Sequence, residues 1–145
     1  MSRDYISKKK KASVRKRANY CCEYCQSLED FSPQTFSMEH VIPIILGGNS
    51  TLANLALSCQ TCNNHKYNKI EVFDEVTQQT ISLFNPRKDV WTEHFQWSDD
   101  FKYILSITDI GRVTSKTLDL NRPSLLNFRY AVALAGKHPP LHTLP

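Results

Sequence analysis

The stretch TFSMEHVIPIILGGNSTLANLALSCQTCNNHK, residues 35–66, carries the architecture of this chain. It holds two apolar runs, TFSMEHVIPIIL and NLALSC, separated by the loop GGNSTLA. It closes on a polar segment, CNNHKYNKI, whose composition suits a helix. Short apolar and β-branched runs bounded by Gly and Asn read as strands, so the stretch predicts a strand–loop–strand–helix unit. In the first run Phe36, Met38, Val41, Ile42 and Ile44 are core material, yet Glu39 and His40 stand side by side among them. A carboxylate is costly to bury unless it is paired or holds a metal, so this pair needs a chemical reason. In a regular strand the two would point to opposite faces. They serve one site only if the strand twists or ends there. Pro43 favours an ending because it cannot donate a ladder hydrogen bond, and the glycines of LGG let the loop bend sharply.

Two Cys-x2-Cys pairs flank the first strand. Cys22 and Cys25 are separated by 33 residues from Cys59 and Cys62. Four thiolates are the complement that closes a tetrahedral structural zinc site. The long separation is acceptable if the chain between them is a hairpin that returns to its start. The alternatives are disulfides, which an intracellular chain disfavours, and buried free cysteines. Cys21 lies outside the spacing and reads as a bystander.

Taken together, CEYC, EHVIP and GGNSTLANLALSCQTCNNHK strongly resemble the HNH nuclease family, over residues 17–69. The resemblance implies the ββα-metal (His-Me finger) fold in its four-cysteine, zinc-braced version. It places His40 on the general-base position and Glu39 on that of an acidic metal ligand. Asn63 falls on the second metal-binding position, where the family name implies His. Asn54 matches the central asparagine that braces the loop and orients the base. The implied reaction is hydrolysis of DNA phosphodiester bonds, with RNA left open. Histidine is the natural base near neutral pH, and a carboxylate with an amide oxygen suits Mg²⁺ or Mn²⁺. His65 and Lys66 are secondary candidates. On a helix His65 lies about 200° around from Asn63, off the metal face and toward the zinc thiolates or DNA. Lys66 matches the family's lysine after the asparagines, to contact phosphate or to cover the helix with its stem.

Charge is distributed unevenly. Residues 1–17 carry eight of the eighteen Lys and Arg against Asp4 alone, while the net charge of the whole chain is +4. Lys8, Lys9, Lys10, Lys11, Arg15, Lys16 and Arg17 are therefore candidate nucleic-acid contacts, the alternative being a solubilising arm. Residues 1–9 lack periodicity, and residues 1–11 are expected to form a flexible basic arm. A basic helix from about 10 to 20, with Ala12, Val14, Ala18 and Tyr20 on a weak apolar face, is expected next. No apolar run reaches the roughly 20 residues that span a bilayer, and no long apolar region follows the early lysines. The expected location is cytoplasmic, without a membrane partner.

Residues 70–145 are expected to be an α+β extension packed on the core formed by residues 12–69, giving an α+β fold class. VTQQTISLF predicts a strand or hairpin, and VWTEHFQWSDDFKYILSITDIG short strands bounded by turns. RVTSKTLDL predicts a helix ending near Asn121. PSLLNFRYAVALAG predicts another, opened by Pro123 and stopped by Gly136. LFNPR, W..HF.W, GR.T...L.LNR and HPP weakly resemble an extension of some bacterial HNH proteins. Arg87 could touch phosphate, and Trp91 and Trp97 could stack on bases, but a core role for these aromatics is preferred. His94 and His138 read as structural or surface residues. Besides a metal-dependent endonuclease, two rival functions stand: a non-catalytic zinc-stabilised nucleic-acid-binding module and a zinc-knuckle protein adaptor.

Overall fold

The computed structural model describes residues 5–145. Arg3 and Asp4 of the expected arm lie outside them. Helix α1 runs Lys8–Arg17, capped by Ser7, whose hydroxyl accepts from the Lys10 amide. It begins two residues before the expected start, so residues 8–11 form its first turn, where a flexible arm was expected. Its buried contact is Val14; Ala12 is exposed. Asn19 and Tyr20 follow with φ of 55° and 59°, a left-handed pair that ends the helix before the expected residue 20.

Strand β1, Ser37–His40, pairs antiparallel with β2, Leu55–Ser58, in a register that sets Glu39 opposite Ala56 and His40 opposite Leu55. Helix α2, Gln60–Lys66, follows at once, with the Cys59 sulfur accepting from the Cys62 amide at its N-terminus. This is the strand–loop–strand–helix unit. The first strand is shorter than its apolar run: it stops at His40, and Ile44–Leu46 form a 3-10 turn.

The remaining elements are small. Strands β3, Glu71–Asp74, and β4, Gln79–Ser82, make one hairpin. Helix α3, Trp91–His94, leads into β5, Phe95–Trp97, which pairs with β6, Ile104–Ser106. Helix α4 spans Asp109–Leu118 and α5 spans Pro123–Leu134, with Gly136 at φ 73° just beyond it. Val14, Leu55, Leu57, Phe84, Phe95 and Leu118 belong to one buried cluster that also takes in the four knuckle cysteines. Residues 70–145 thus share the core of the first half.

Several side chains of this half have structural partners. Trp91 is buried and donates to the Tyr24 carbonyl, 3.0 Å; Trp97 donates to Thr143 Oγ1, 2.8 Å. Arg87 is paired with Glu23, not turned toward solvent for phosphate. His94 meets Thr108 and His138 meets the Phe101 carbonyl. No helix among the described residues is long and apolar enough to cross a membrane.

Candidate metal centres and cleft

The Sγ atoms of Cys22, Cys25, Cys59 and Cys62 all lie within 4.8 Å of one another, with Cys25 and Cys59 at 3.7 Å. Four sulfurs about 2.3 Å from a tetrahedral zinc stand about 3.8 Å apart, so the four are positioned to bind a structural zinc. None is in a disulfide. Cys21 is buried outside the group, its thiol on the Asn19 carbonyl, and burial pushes its pKa up to about 12.

A cation not foreseen from sequence stands behind the sulfurs. Arg122, from the turn before α5, directs Nη2 at Cys59, 3.6 Å, and Nη1 at Cys62, 3.8 Å. Four thiolates and one Zn²⁺ leave two negative charges, and a buried guanidinium offsets one of them. Nothing in the spacing of the cysteines points to an arginine sixty residues away in sequence.

Apart from the sulfur cluster lies a cleft of about 380 Å³, lined among others by Glu39, His40, Ile45, Asn63, Tyr67 and Asn68. The end of β1 brings His40 to it and the middle of α2 brings Asn63. Glu39 and His40, neighbours in the chain, reach the same cleft because the strand stops at His40. His40 Nε2 lies 2.9 Å from Ser50 Oγ, in the loop between the strands.

That loop is held by Asn54. Its amide nitrogen donates to the carbonyls of Ile42, 3.0 Å, and Asn49, 2.9 Å, while its side-chain oxygen accepts from the Ile42 amide, 2.9 Å. The loop closes so tightly that a Cβ on Gly48 would sit 1.7 Å from the Ile42 carbonyl oxygen. Only glycine fits there. Asn54 thus fixes the backbone on both sides of the His40 loop, and the contact to the ring comes from Ser50.

Glu39 is 5% exposed. Its Oε2 accepts from the Tyr24 hydroxyl at 2.5 Å, and its Oε1 lies 2.7 Å from Lys66 Nζ, itself 2% exposed, with no other donor among the described residues. Burial pushes the Glu39 carboxyl up, opposed by the Lys66 ammonium and the two hydrogen-bonding groups. Lys66 also donates to the Val41 carbonyl, 2.8 Å. It is therefore neither a phosphate contact nor a stem laid over the helix, because a buried carboxylate one strand away claims its charge. Tyr24 comes from inside the first knuckle, and its neighbour Glu23 accepts from the Leu57 amide, 2.8 Å. The knuckle was readable by its cysteines; the polar pair between them was the available signal that it grips the hairpin.

His65 points away from the cleft. Its Nδ1 lies 3.0 Å from the Leu118 carbonyl at the end of α4, and not on the thiolates. Among the basic residues, Lys10 donates to the Ser50 carbonyl, Arg15 grips Glu29, and Arg17 donates to the carbonyls of Leu52 and Leu55. These three anchor α1 to the rest of the molecule. Lys8, Lys9, Lys11 and Lys16 are exposed. Lys11 and Arg15 line a second groove that meets the cleft at Asn63.

No curated protein and no solved structure gives a significant match to the chain. The family model described as HNH endonuclease matches residues 22–69, the span that runs from the first knuckle through both strands to the end of α2. The stretch that holds the two knuckles, the hairpin and the helix carrying Asn63 is thus the part of the chain that is similar to the HNH endonuclease family.

Proposed function

We propose that the chain is a divalent-ion-dependent endonuclease that hydrolyses DNA phosphodiester bonds in the cleft between β1 and α2. The observation that carries this reading is the convergence of Glu39, His40 and Asn63 on one open cleft inside the HNH segment. His40 takes a proton from a water whose oxygen forms the new bond to phosphorus, while the bond from phosphorus to the leaving sugar oxygen breaks. Ser50 and the Asn54-clamped loop hold the imidazole in place, so Asn54 is a positioning residue. Glu39 and Asn63 are the residues that would hold Mg²⁺ or Mn²⁺. Their fit rests on the hard oxygen donors of both side chains on one cleft, and an ion there would share the Glu39 carboxylate with Lys66 and Tyr24. When bound, such an ion stabilises charge on the phosphate and the leaving oxygen. Exposed Lys8, Lys9, Lys11 and Lys16 supply sequence-independent attraction to the backbone.

A second reading, a non-catalytic nucleic-acid-binding module, is favoured by one feature: the Glu39 charge is already matched by Lys66. A cleavage assay separates the two. Supercoiled plasmid should be nicked or cut with Mg²⁺ or Mn²⁺ and left intact with EDTA. Binding without cleavage under any divalent ion would leave the second reading standing.

A further inference from the structure

Two large side chains stand exposed at the mouth of the cleft, from different elements. Ile45, in the turn after β1, is 77% exposed, and Tyr67, at the end of α2, is 74% exposed; both line the cleft with His40 and Asn63. Single exposed apolar residues are ordinary, but these two have backbones arranged around them. Tyr67 holds φ 51° and ψ −125°, in the half of backbone space that bulky residues avoid. Glycine or asparagine is the usual residue after a helix where φ is positive. A tyrosine kept there at a cost in strain points to use of its side chain.

Ile45 is held as firmly. Its turn is closed by the Leu46 and Gly48 amides donating to the Pro43 carbonyl, 2.9 and 3.0 Å, and the Asn54 clamp braces the loop from below. The tip is a fixed apolar wedge. The groove that shares Asn63 with the cleft carries Lys11, a cation for a polyanion that runs from one to the other.

We infer that Ile45 and Tyr67 act as a base-opening pair on duplex DNA. Ile45 enters a base step beside the scissile phosphate, and Tyr67 stacks on the base that is freed. The preferred substrate is then duplex DNA whose steps open readily, such as pyrimidine–purine steps or mismatches. This rests on the nuclease reading above, and its test keeps the two apart.

The experiment uses the full, zinc-loaded chain with no other divalent ion added, and duplexes in which 2-aminopurine is tiled through the sequence, with and without one mismatch. Anisotropy reports binding and 2-aminopurine fluorescence reports unstacking. Wild type should raise the fluorescence at one or two positions and bind the mismatched duplex more tightly. Ile45→Ala and Tyr67→Ala should lose most of the rise, and Tyr67→Ala should weaken binding about fivefold or more, the cost of one missing base stack. Tyr67→Phe should keep the rise. Tyr67→Gly should lose it while raising the thermal midpoint, because the strain is relieved as the ring is removed. Binding with no fluorescence change, equal affinity for matched and mismatched duplexes, or an undiminished rise in both alanine variants would overturn the inference and leave the nuclease reading intact. Failure to bind any duplex would overturn both.

Discussion

The knuckle cluster and the cleft are built from adjoining residues and solve opposite problems. Cys62 and Asn63 are neighbours on α2, yet the first faces a sealed cluster of sulfurs and the second an open cleft. Four thiolates complete the coordination of a zinc and leave no position for a substrate. The cleft is lined instead by a carboxylate, an imidazole and an amide, Glu39, His40 and Asn63, around open space. Tyr24, inside the first knuckle, ties the two together by donating to Glu39. The sealed site therefore sets the fold, and the fold in turn presents the open one.

The largest effect should come from loss of the sealed site. Cys59→Ser should lose zinc and unfold, since structural zinc binding is worth about 10–16 kcal/mol in small zinc domains and is coupled to folding. Elemental analysis with circular dichroism checks this; a folded, zinc-free variant would uncouple the sealed site from the fold. Gentle chelation of the added divalent ion should stop cleavage with the circular dichroism unchanged.

The Glu39–Lys66 pair sits where the two regions meet. Lys66→Met strands a buried carboxylate and should cost about 3–5 kcal/mol. Adding Glu39→Gln should recover much of that stability, as read by denaturant midpoints. If the double variant is no more stable than Lys66→Met, the pair is not what holds α2 to β1. A smaller effect is expected at Arg122. Arg122→Met removes its hydrogen bonds to Cys59 and Cys62, about 1.5–3 kcal/mol, and should speed zinc transfer to a competing chelator. Unchanged zinc release would separate the extension from the zinc centre.

The smallest effect concerns charge. Replacing Lys8, Lys9 and Lys11 with Ala should flatten the salt dependence of DNA binding, by about 0.9 in the log–log slope for each phosphate that is no longer neutralised. Lys10 is left in place because it holds the loop that carries Ser50. An unchanged slope would mean that α1 does not face the backbone.

Much of this molecule was legible in the sequence where spacing carries the information. The knuckles follow from Cys-x2-Cys, the hairpin from two apolar runs around a glycine-containing loop, α2 from its composition, and α5 from a Pro and Gly bracket around helical spacing. Glu39, His40 and Asn63 were brought together only by the resemblance to the HNH family, and the structure puts all three on the lining of one cleft. What stayed hidden depends on tertiary approach. Arg122 reaches Cys59 and Cys62 from the far half of the chain, and Ser50 meets His40 through a folded loop. Lys66 looked like a surface cation, and only the packing of α2 on β1 shows its charge buried against Glu39. The basic segment misled for a related reason. Composition cannot tell a free lysine from one that donates to a carbonyl, as Lys10 and Arg17 do.

Everything in the nuclease reading turns on His40 acting as the base in a cleft that the zinc-braced fold holds open. Single-turnover cleavage by His40→Ala, run beside His65→Ala, is the sharpest test of that role. His40→Ala should cleave about 10²–10⁴ times more slowly, with zinc content, thermal midpoint and DNA affinity close to wild type. His65→Ala should keep substantial activity, because its ring lies on the Leu118 carbonyl and not in the cleft. Full activity in His40→Ala, or loss of activity in His65→Ala with the fold intact, would refute the assignment of the base.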